Sequence, residues 1–100
     1  MEGKIFTKNG EEQIEIKKRN AYRKILLKEL YVRMFKDKEM NKSVTFKGKS
    51  DSEDFEKFLA YKVLNELGYV NLVYDEKRIV PEEGYAVEIT PKGILYYENL

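Results

Sequence analysis

The side chains best suited to bind a ligand are the lysines and arginines in the first half of the chain. Residues 1–49 carry 14 Lys/Arg and 7 Asp/Glu, whereas residues 50–100 carry 5 Lys/Arg and 11 Asp/Glu. The densest basic segment comprises Lys17, Lys18, Arg19, Arg23 and Lys24. Such clusters bind the phosphates of nucleic acids, and Lys42, Lys47 and Lys49 could extend the same surface. The alternative is that these charges are spread over the solvated face of a long helix.

Catalytic and metal chemistry has little support in the residue types present. The chain has no His and no Cys, which excludes imidazole acid/base catalysis, thiol chemistry, Cys/His zinc sites and disulfides. The acidic run between residues 51 and 56 lacks the spacing and the glycine of a calcium-binding loop. Gly48-Lys49-Ser50 lacks the first glycine of a phosphate-binding loop. We therefore expect no catalytic residues, no cofactor and no metal, and we do not expect an enzyme.

Length and hydropathy predict a single small domain. One hundred residues, 42% of them apolar, can hold one hydrophobic core but not two. No apolar run exceeds four residues, so we expect no membrane-spanning segment and a soluble, cytoplasmic protein. We expect residues 1–17 to form an N-terminal extension and residues 18–100 to form the domain.

The elements that would position the basic segment begin with a helix. Asn9-Gly10 is compatible with a hairpin turn that pairs Ile5 with Ile14, or with a helix cap completed by Glu12. From about Lys18 to Phe35 a helical repeat is clear, with its apolar side chains on two faces. The predicted core face carries Leu26, Leu27, Leu30, Tyr31 and Met34. The other face carries Tyr22, Ile25 and Val32, which we expect to contact the N-terminal segment or a second copy of the chain.

A short β-like stretch, Ser43–Phe46, precedes a second helix. Ser50 is a suitable cap for that helix, and Gly68 is a suitable stop. The predicted core face repeats every four residues, at Phe55, Leu59, Val63 and Leu67, with Ala60 and Leu64 beside it. The predicted outer face carries Asp54, Lys57, Phe58, Tyr61 and Asn65, with Lys62 near its border.

The period of the apolar residues changes to two beyond Gly68. Val70, Leu72 and Tyr74 alternate with polar or smaller groups, as do Tyr85, Val87 and Ile89. This pattern predicts a hairpin whose long, charged tip spans residues 75–84. Thr90-Pro91 then predicts the start of a short closing helix, with Thr90 as the cap.

This order of elements resembles the winged helix-turn-helix family over residues 20–99. Two sequence segments carry the resemblance: Val63-Leu64-Asn65-Glu66-Leu67-Gly68-Tyr69-Val70 and Glu88-Ile89-Thr90-Pro91-Lys92-Gly93. The former is similar to a recognition helix that leads into the wing, and the latter is similar to the exit from the wing. The resemblance implies an α+β winged-helix fold, with a helical core, a C-terminal β-hairpin wing and a short closing helix. In that family two helices lie between the first strand and the wing, whereas residues 50–69 are predicted here to form one helix. Either residues 51–57 form a separate helix, or the missing helix lies within residues 37–42, or it is absent from this chain.

The resemblance also implies a DNA-facing surface. The second helix of the motif would present Lys57, Tyr61, Lys62 and Asn65 to the major groove of double-stranded DNA. Lys77 and Arg78 would lie at the tip of the wing and contact the backbone. Acidic residues at the start of the helix and around the wing tip oppose phosphate binding at both places.

Two functions follow from these observations. The first is a homodimeric DNA-binding transcriptional regulator, with Tyr22, Ile25 and Val32 in the dimer contact. The alternative is a winged-helix domain that binds another protein and does not bind DNA, which the acidic helix start, the acidic wing and the near-zero net charge favour.

Overall fold

The computed structural model describes residues 10–46, 52–75, 81 and 83–100. Within them the chain forms three helices and three strands. The helices are α1 (Gly10–Phe35), α2 (Ser52–Glu66) and α3 (Pro91–Glu98), and the strands are β1 (Lys42–Thr45), β2 (Val70–Val73) and β3 (Gly84–Ile89). The strands form one antiparallel sheet in the order β1-β3-β2, so the molecule is a small α+β domain.

Helix α1 is longer than the helical repeat alone indicates. It begins at Gly10, so Ile14 lies inside the helix and the hairpin alternative for this region is wrong. Glu11 and Glu12 lie in its first turn, where carboxylates stabilise the positive end of the helix dipole. The helix crosses the boundary at residue 17 without a break, while the division into an extension and a domain stays a prediction. Its predicted core face is confirmed, since Leu26, Leu27 and Leu30 are buried.

Helix α2 is continuous and stops where the sequence predicts. Gly68 has a φ of +87°, in the left-handed region that glycine adopts without strain. Between β1 and β2 the described residues contain α2 and no other helix. The predicted cap, Ser50, lies outside the described residues.

The sheet confirms the alternation seen beyond Gly68. Val70 pairs with Ile89 and Leu72 with Val87, and these four side chains share one face of the sheet. On the other side of β3, Val44 pairs with Tyr85. This face covers the core, whereas the predicted hairpin tip lies mostly outside the described residues.

The predicted core face of α2 is wrong. Phe58 and Tyr61, predicted to face outward, are buried, whereas Leu59, Val63 and Leu67 are each at least 40% exposed. Ala60 and Leu64, predicted to lie beside the core face, are buried. A four-residue repeat drifts by about 40° per step around a helix, so it marks a face poorly over three steps. The opposite face is the buried one because its two aromatic rings, when buried, remove more apolar surface from water than the leucines and valine of the predicted face would. The Phe58 ring packs 5.4 Å from that of Tyr85 and 6.1 Å from that of Phe46 (centroid distances).

The start of α3 ties the sheet to the end of α2. The Thr90 Oγ1 caps the helix by accepting a hydrogen bond from the Gly93 N–H at 3.0 Å, which confirms the predicted cap. The same hydroxyl donates to the Gly68 carbonyl at 2.6 Å. Gly93 has to be glycine, because a Cβ there would lie 2.1 Å from the carbonyl oxygen of Tyr69. In the described part of the chain, no helix has both the length and the apolar character needed to span a membrane.

Candidate functional site

The outer face of α2 is apolar. We call Leu59, Val63 and Leu67 the α2 stripe; their exposed fractions are 41%, 40% and 47%. Glu56 and Glu66 are the acidic residues beside the stripe. Large apolar side chains that are exposed together on one helix face are typical of a surface that another molecule covers.

A groove runs between the α2 stripe and the first half of α1. It has a volume of about 330 Å³, and its walls are mainly apolar. It is lined by Arg19, Tyr22, Arg23, Glu56, Leu59, Ala60, Lys62 and Val63. The Arg19 Nε lies 3.8 Å from the Glu56 Oε1, so this exposed ion pair joins the two helices at the groove.

A smaller depression of about 130 Å³ continues the groove toward the end of α2. Val63 and Arg23 line both, so the two form one surface. The other residues that line the depression are Asn20, Lys24, Leu27, Leu64, Leu67, Tyr69 and Tyr96. We call the two depressions together the α1–α2 groove. Its α1 side carries Arg19, Arg23 and Lys24, and its α2 side carries Glu56 and Lys62.

Two of the predicted base-reading residues are engaged within the domain. Tyr61 is fully buried, so its assignment to a DNA-reading face is wrong; it belongs to the core-facing side of α2. The Asn65 Oδ1 accepts a hydrogen bond from the Leu72 N–H at 3.1 Å. An asparagine that pairs with adenine needs both its oxygen and its NH₂ group, and here the oxygen is already used.

The two lysines of α2 do not form an exposed basic face. Lys57 and Lys62 are half-buried. The Lys62 Nζ lies 5.7 Å from the centroid of the Tyr74 ring, a cation–π contact with the residue that follows β2. The four residues predicted to read bases therefore do not form one exposed surface.

The basic segment of α1 is divided among different faces of the helix. Arg19 pairs with Glu56, Arg23 donates to the Asn20 Oδ1, and the Lys18 Nζ lies 4.0 Å from the Glu15 Oε2. Lys17 and Lys24 are exposed, and no ion pair holds either of them in the part of the chain described. Consecutive residues on a helix point about 100° apart, so Lys17, Lys18 and Arg19 cannot face one phosphate backbone together.

The remaining predicted contacts have different surroundings. The Lys42 Nζ lies 3.2 Å from the Glu29 Oε1, so Lys42 is held against α1. Lys47 and Lys49 lie outside the described residues, as do the two predicted wing-tip residues, Lys77 and Arg78. Nothing in the structure bears on these four.

The residues predicted for a dimer contact divide into two kinds. Tyr22 is half-buried and packs against the domain's own core. Ile25 is 53% exposed and Val32 is 37% exposed, and both line a shallow depression together with Lys42 of β1. Of the three, Ile25 and Val32 therefore have the exposed surface that contact with a second copy requires.

Two buried phenols lie in the hydrophobic core. The hydroxyl groups of Tyr61 and Tyr85 have no hydrogen-bond partner among the described residues, and the two ring centroids are 6.0 Å apart. Burial raises the pKa of both hydroxyls above its ordinary value, so both rings remain neutral at physiological pH. No cluster of three acidic side chains that could hold a metal ion occurs among the described residues.

No family model matches this chain, and no curated protein or solved structure matches it. The geometry of the chain itself therefore carries the functional argument. Its most distinctive feature is the α2 stripe, which the sequence pattern assigned to the core. The signal that could have found it is that α2 has apolar residues on both faces, because only one of them can be buried against a single sheet.

Proposed function

We propose that this domain is a protein–protein interaction module and that the α1–α2 groove binds an amphipathic helix of another protein. The observation that carries the proposal is the α2 stripe, three large apolar side chains at least 40% exposed on one helix face. Leu59 and Leu67 are eight residues apart, which corresponds to about 12 Å along the helix axis. That length suits two turns of a bound helix with apolar residues at i, i+4 and i+7.

Charge defines the partner further. The α1 side of the groove carries Arg19, Arg23 and Lys24. The α2 side carries Glu56 and Lys62, whose ammonium group lies over the Tyr74 ring, and Glu66 lies beside the α2 stripe outside the lining. A complementary helix has acidic residues along the flank that faces α1 and basic residues along the flank that faces α2. These exposed pairs orient the bound helix more than they strengthen binding, since each contributes less than about 1 kcal/mol.

A designed peptide tests the groove. The peptide is a helix with Leu at i, i+4 and i+7, Glu along one flank and Lys along the other; a control peptide has the two flanks exchanged. We expect the first peptide to bind more tightly than the control in calorimetry, and V63K to abolish binding while leaving the circular dichroism spectrum unchanged. Equal binding of both peptides, or binding that survives V63K, contradicts the assignment.

A photo-crosslinker identifies the natural partner. Benzoylphenylalanine at position 63 lies in the groove, whereas the same group at the exposed position Lys36, near the end of α1, does not. In the cells that make this protein, we expect one protein to be linked from position 63 and not from position 36. The purified partner should then bind the wild-type domain and fail to bind V63K. Identical products from both positions would refute the groove as the docking surface.

A second candidate is DNA binding by a winged-helix fold. The order helix–strand–helix–hairpin–helix is the order expected for a winged helix, and Lys17 and Lys24 are exposed cations available for contact with phosphates. The burial of Tyr61 and the bond made by Asn65 argue against base reading by α2. DNA contact by this domain would therefore be mainly to the backbone and only weakly sequence-dependent.

A salt series decides between the two functions. For a phosphate-binding surface, duplex affinity falls steeply with salt, and K17A/K24A lowers the slope of log K against log [salt] by about 2, near 1 for each lysine. The matched control is K57A, which changes a half-buried lysine on α2. If no duplex binding is detected at about 50 mM salt, the DNA-binding candidate is rejected and the interaction module stands alone.

A further inference from the structure

One edge of the sheet presents backbone groups that have no partner. In the described part of the chain β1 pairs with β3 on one side, and no strand lies on its other side. The Phe46 N–H donates to the Glu83 carbonyl at 2.9 Å, which fixes the alternation of hydrogen bonds along β1. Val44 therefore bonds to β3 through its backbone, whereas the N–H and C=O groups of Ser43 and Thr45 point away from the sheet. We call these outward groups of Ser43 and Thr45 the β1 edge.

The neighbouring edge groups are already bonded within the domain. Just before β1, the Asn41 carbonyl accepts a hydrogen bond from the Arg33 Nε at 3.0 Å. At the opposite edge of the sheet, the Leu72 N–H of β2 donates to the Asn65 Oδ1 at 3.1 Å. The described residues supply no such partner to the β1 edge.

Several features that commonly protect an edge strand are missing from β1. Such strands are often blunted by a proline, by a bulge, or by a lysine that projects at the edge. β1 contains no proline and pairs with β3 without a bulge. Its lysine, Lys42, lies on the same face as Val44 and is held against α1, with its Nζ 3.2 Å from the Glu29 Oε1. The β1 edge is therefore open to another strand.

We infer that β1 pairs antiparallel with β1 of a second copy of this chain, across a two-fold axis at Val44. In this register Ser43 of one copy lies opposite Thr45 of the other, and the two residues exchange both of their backbone hydrogen bonds. The two-fold axis repeats this exchange, so every group of the β1 edge is satisfied in both copies. The sheets of the two copies join into one continuous antiparallel sheet.

The side chains of β1 suit pairing with themselves. On the outer face Ser43 meets Thr45 of the second copy, and such pairs of hydroxyl side chains stabilise neighbouring strands. On the inner face Val44 meets its own counterpart. Lys42 lies opposite Phe46 of the second copy, so like charges do not face each other across the axis.

The register is further selected by the bond that Arg33 makes. If Ser43 lay opposite its own counterpart, Thr45 would lie opposite Asn41, whose carbonyl is already bonded to Arg33. That register would leave part of the β1 edge unsatisfied. Because β1 has only 4 residues, the inferred interface is short and the dimer is reversible.

The absence of cysteine from the chain permits a direct test of the register. S43C and T45C place thiols at exposed positions. In the inferred register, positions 43 and 45 of different copies have Cα atoms about 5.5 Å apart, within reach of a disulfide. Identical positions are offset by two residues, which puts their Cα atoms about 8 Å apart, beyond that reach. We therefore expect a mixture of S43C and T45C to cross-link under mild oxidation, and neither variant to do so alone.

Sedimentation equilibrium tests the association and its dependence on the backbone. Proline at position 43 or 45 removes an outward N–H and keeps the hydrogen bonds to β3. We expect a monomer–dimer equilibrium that T45P shifts to concentrations about tenfold higher or more, because half of the interchain bonds are lost. S43P/T45P should abolish the dimer. The matched control, T45V, changes the same side chain but keeps the backbone donor, so the dimer should persist.

The inference can fail independently of the proposed function. V63K alters the α1–α2 groove and should leave the dimer unchanged. Circular dichroism verifies that the proline variants are folded, and the cross-linking of S43C with T45C needs no proline. A wild-type protein that sediments as a monomer at about 1 mM would overturn the inference. A mixture that cross-links no more than S43C alone, or a dimer that persists in folded S43P/T45P, would do the same.

Discussion

The orientation of α2 can be tested by comparing two of its side chains. Tyr61 is fully buried and Leu59 is 41% exposed, although the sequence pattern alone places them the other way round. Truncation of a buried aromatic residue to alanine costs about 3–5 kcal/mol, because apolar contacts are lost and a cavity remains. For Leu59 we expect about 1 kcal/mol, since burial of a whole leucine contributes only about 1.5–3 kcal/mol and Ala favours the helix. Y61A should therefore lower the free energy of unfolding by at least about 2 kcal/mol more than L59A does.

A third variant tests the environment of the Tyr61 hydroxyl, which is buried and has no hydrogen-bond partner in the part of the chain that the structure describes. A buried polar group left unsatisfied costs about 1–3 kcal/mol, so Y61F should raise the free energy of unfolding by about 1 kcal/mol. Urea denaturation followed by circular dichroism measures all three variants against the wild type. The reasoning is refuted if L59A is the more destabilising truncation, or if Y61F lowers stability.

Three further predictions concern the closing helix and the buried phenols. G93A should lower the free energy of unfolding by about 3 kcal/mol and lower the thermal midpoint, because its Cβ would lie 2.1 Å from a backbone carbonyl oxygen. G10A, with open space around it, should change the thermal midpoint little, and equal effects of the two variants would contradict this packing. In urea denaturation, T90A should lower the free energy of unfolding by about 1–2 kcal/mol, and T90S, which keeps the hydroxyl, should lower it much less. If T90S is as unstable as T90A, the result would argue against the cap. Burial raises the pKa of Tyr61 and Tyr85, so as the pH rises these hydroxyls lose their protons in the unfolded chain before they do so in the folded one. The free energy of unfolding should therefore stay level below about pH 10 and fall above it. The Y61F/Y85F variant should show a shallower fall in urea titrations between about pH 9 and 11, and an unchanged slope would contradict the assignment.

Much of the fold follows from local sequence rules. The left-handed conformation at Gly68, the cap at Thr90 and the alternation along β2 and β3 each depend on residues close in the chain. The winged-helix assignment, by contrast, stays a prediction. It depends on how elements are arranged around one another, and the described residues contain one helix where the family has two.

The candidate site could not be predicted from α2 alone. Both of its faces are apolar, and the choice between them depends on Phe46 and Tyr85, which come from distant parts of the chain and receive the Phe58 ring. Asn65 likewise has the character of a polar surface residue until β2 folds beside it and uses its oxygen. Nonlocal packing decides both cases, and a helical periodicity carries no information about it.

The strand order has a consequence for how the domain assembles. The central strand, β3, is the last of the three in the chain, so β1 has no partner until residues about 40 positions later have been placed. The β2–β3 hairpin closes a shorter loop and forms at a smaller entropic cost. We therefore expect the hairpin to form before β1 docks on it. By the same reasoning we expect β1 to be the strand that detaches first when the native molecule opens locally.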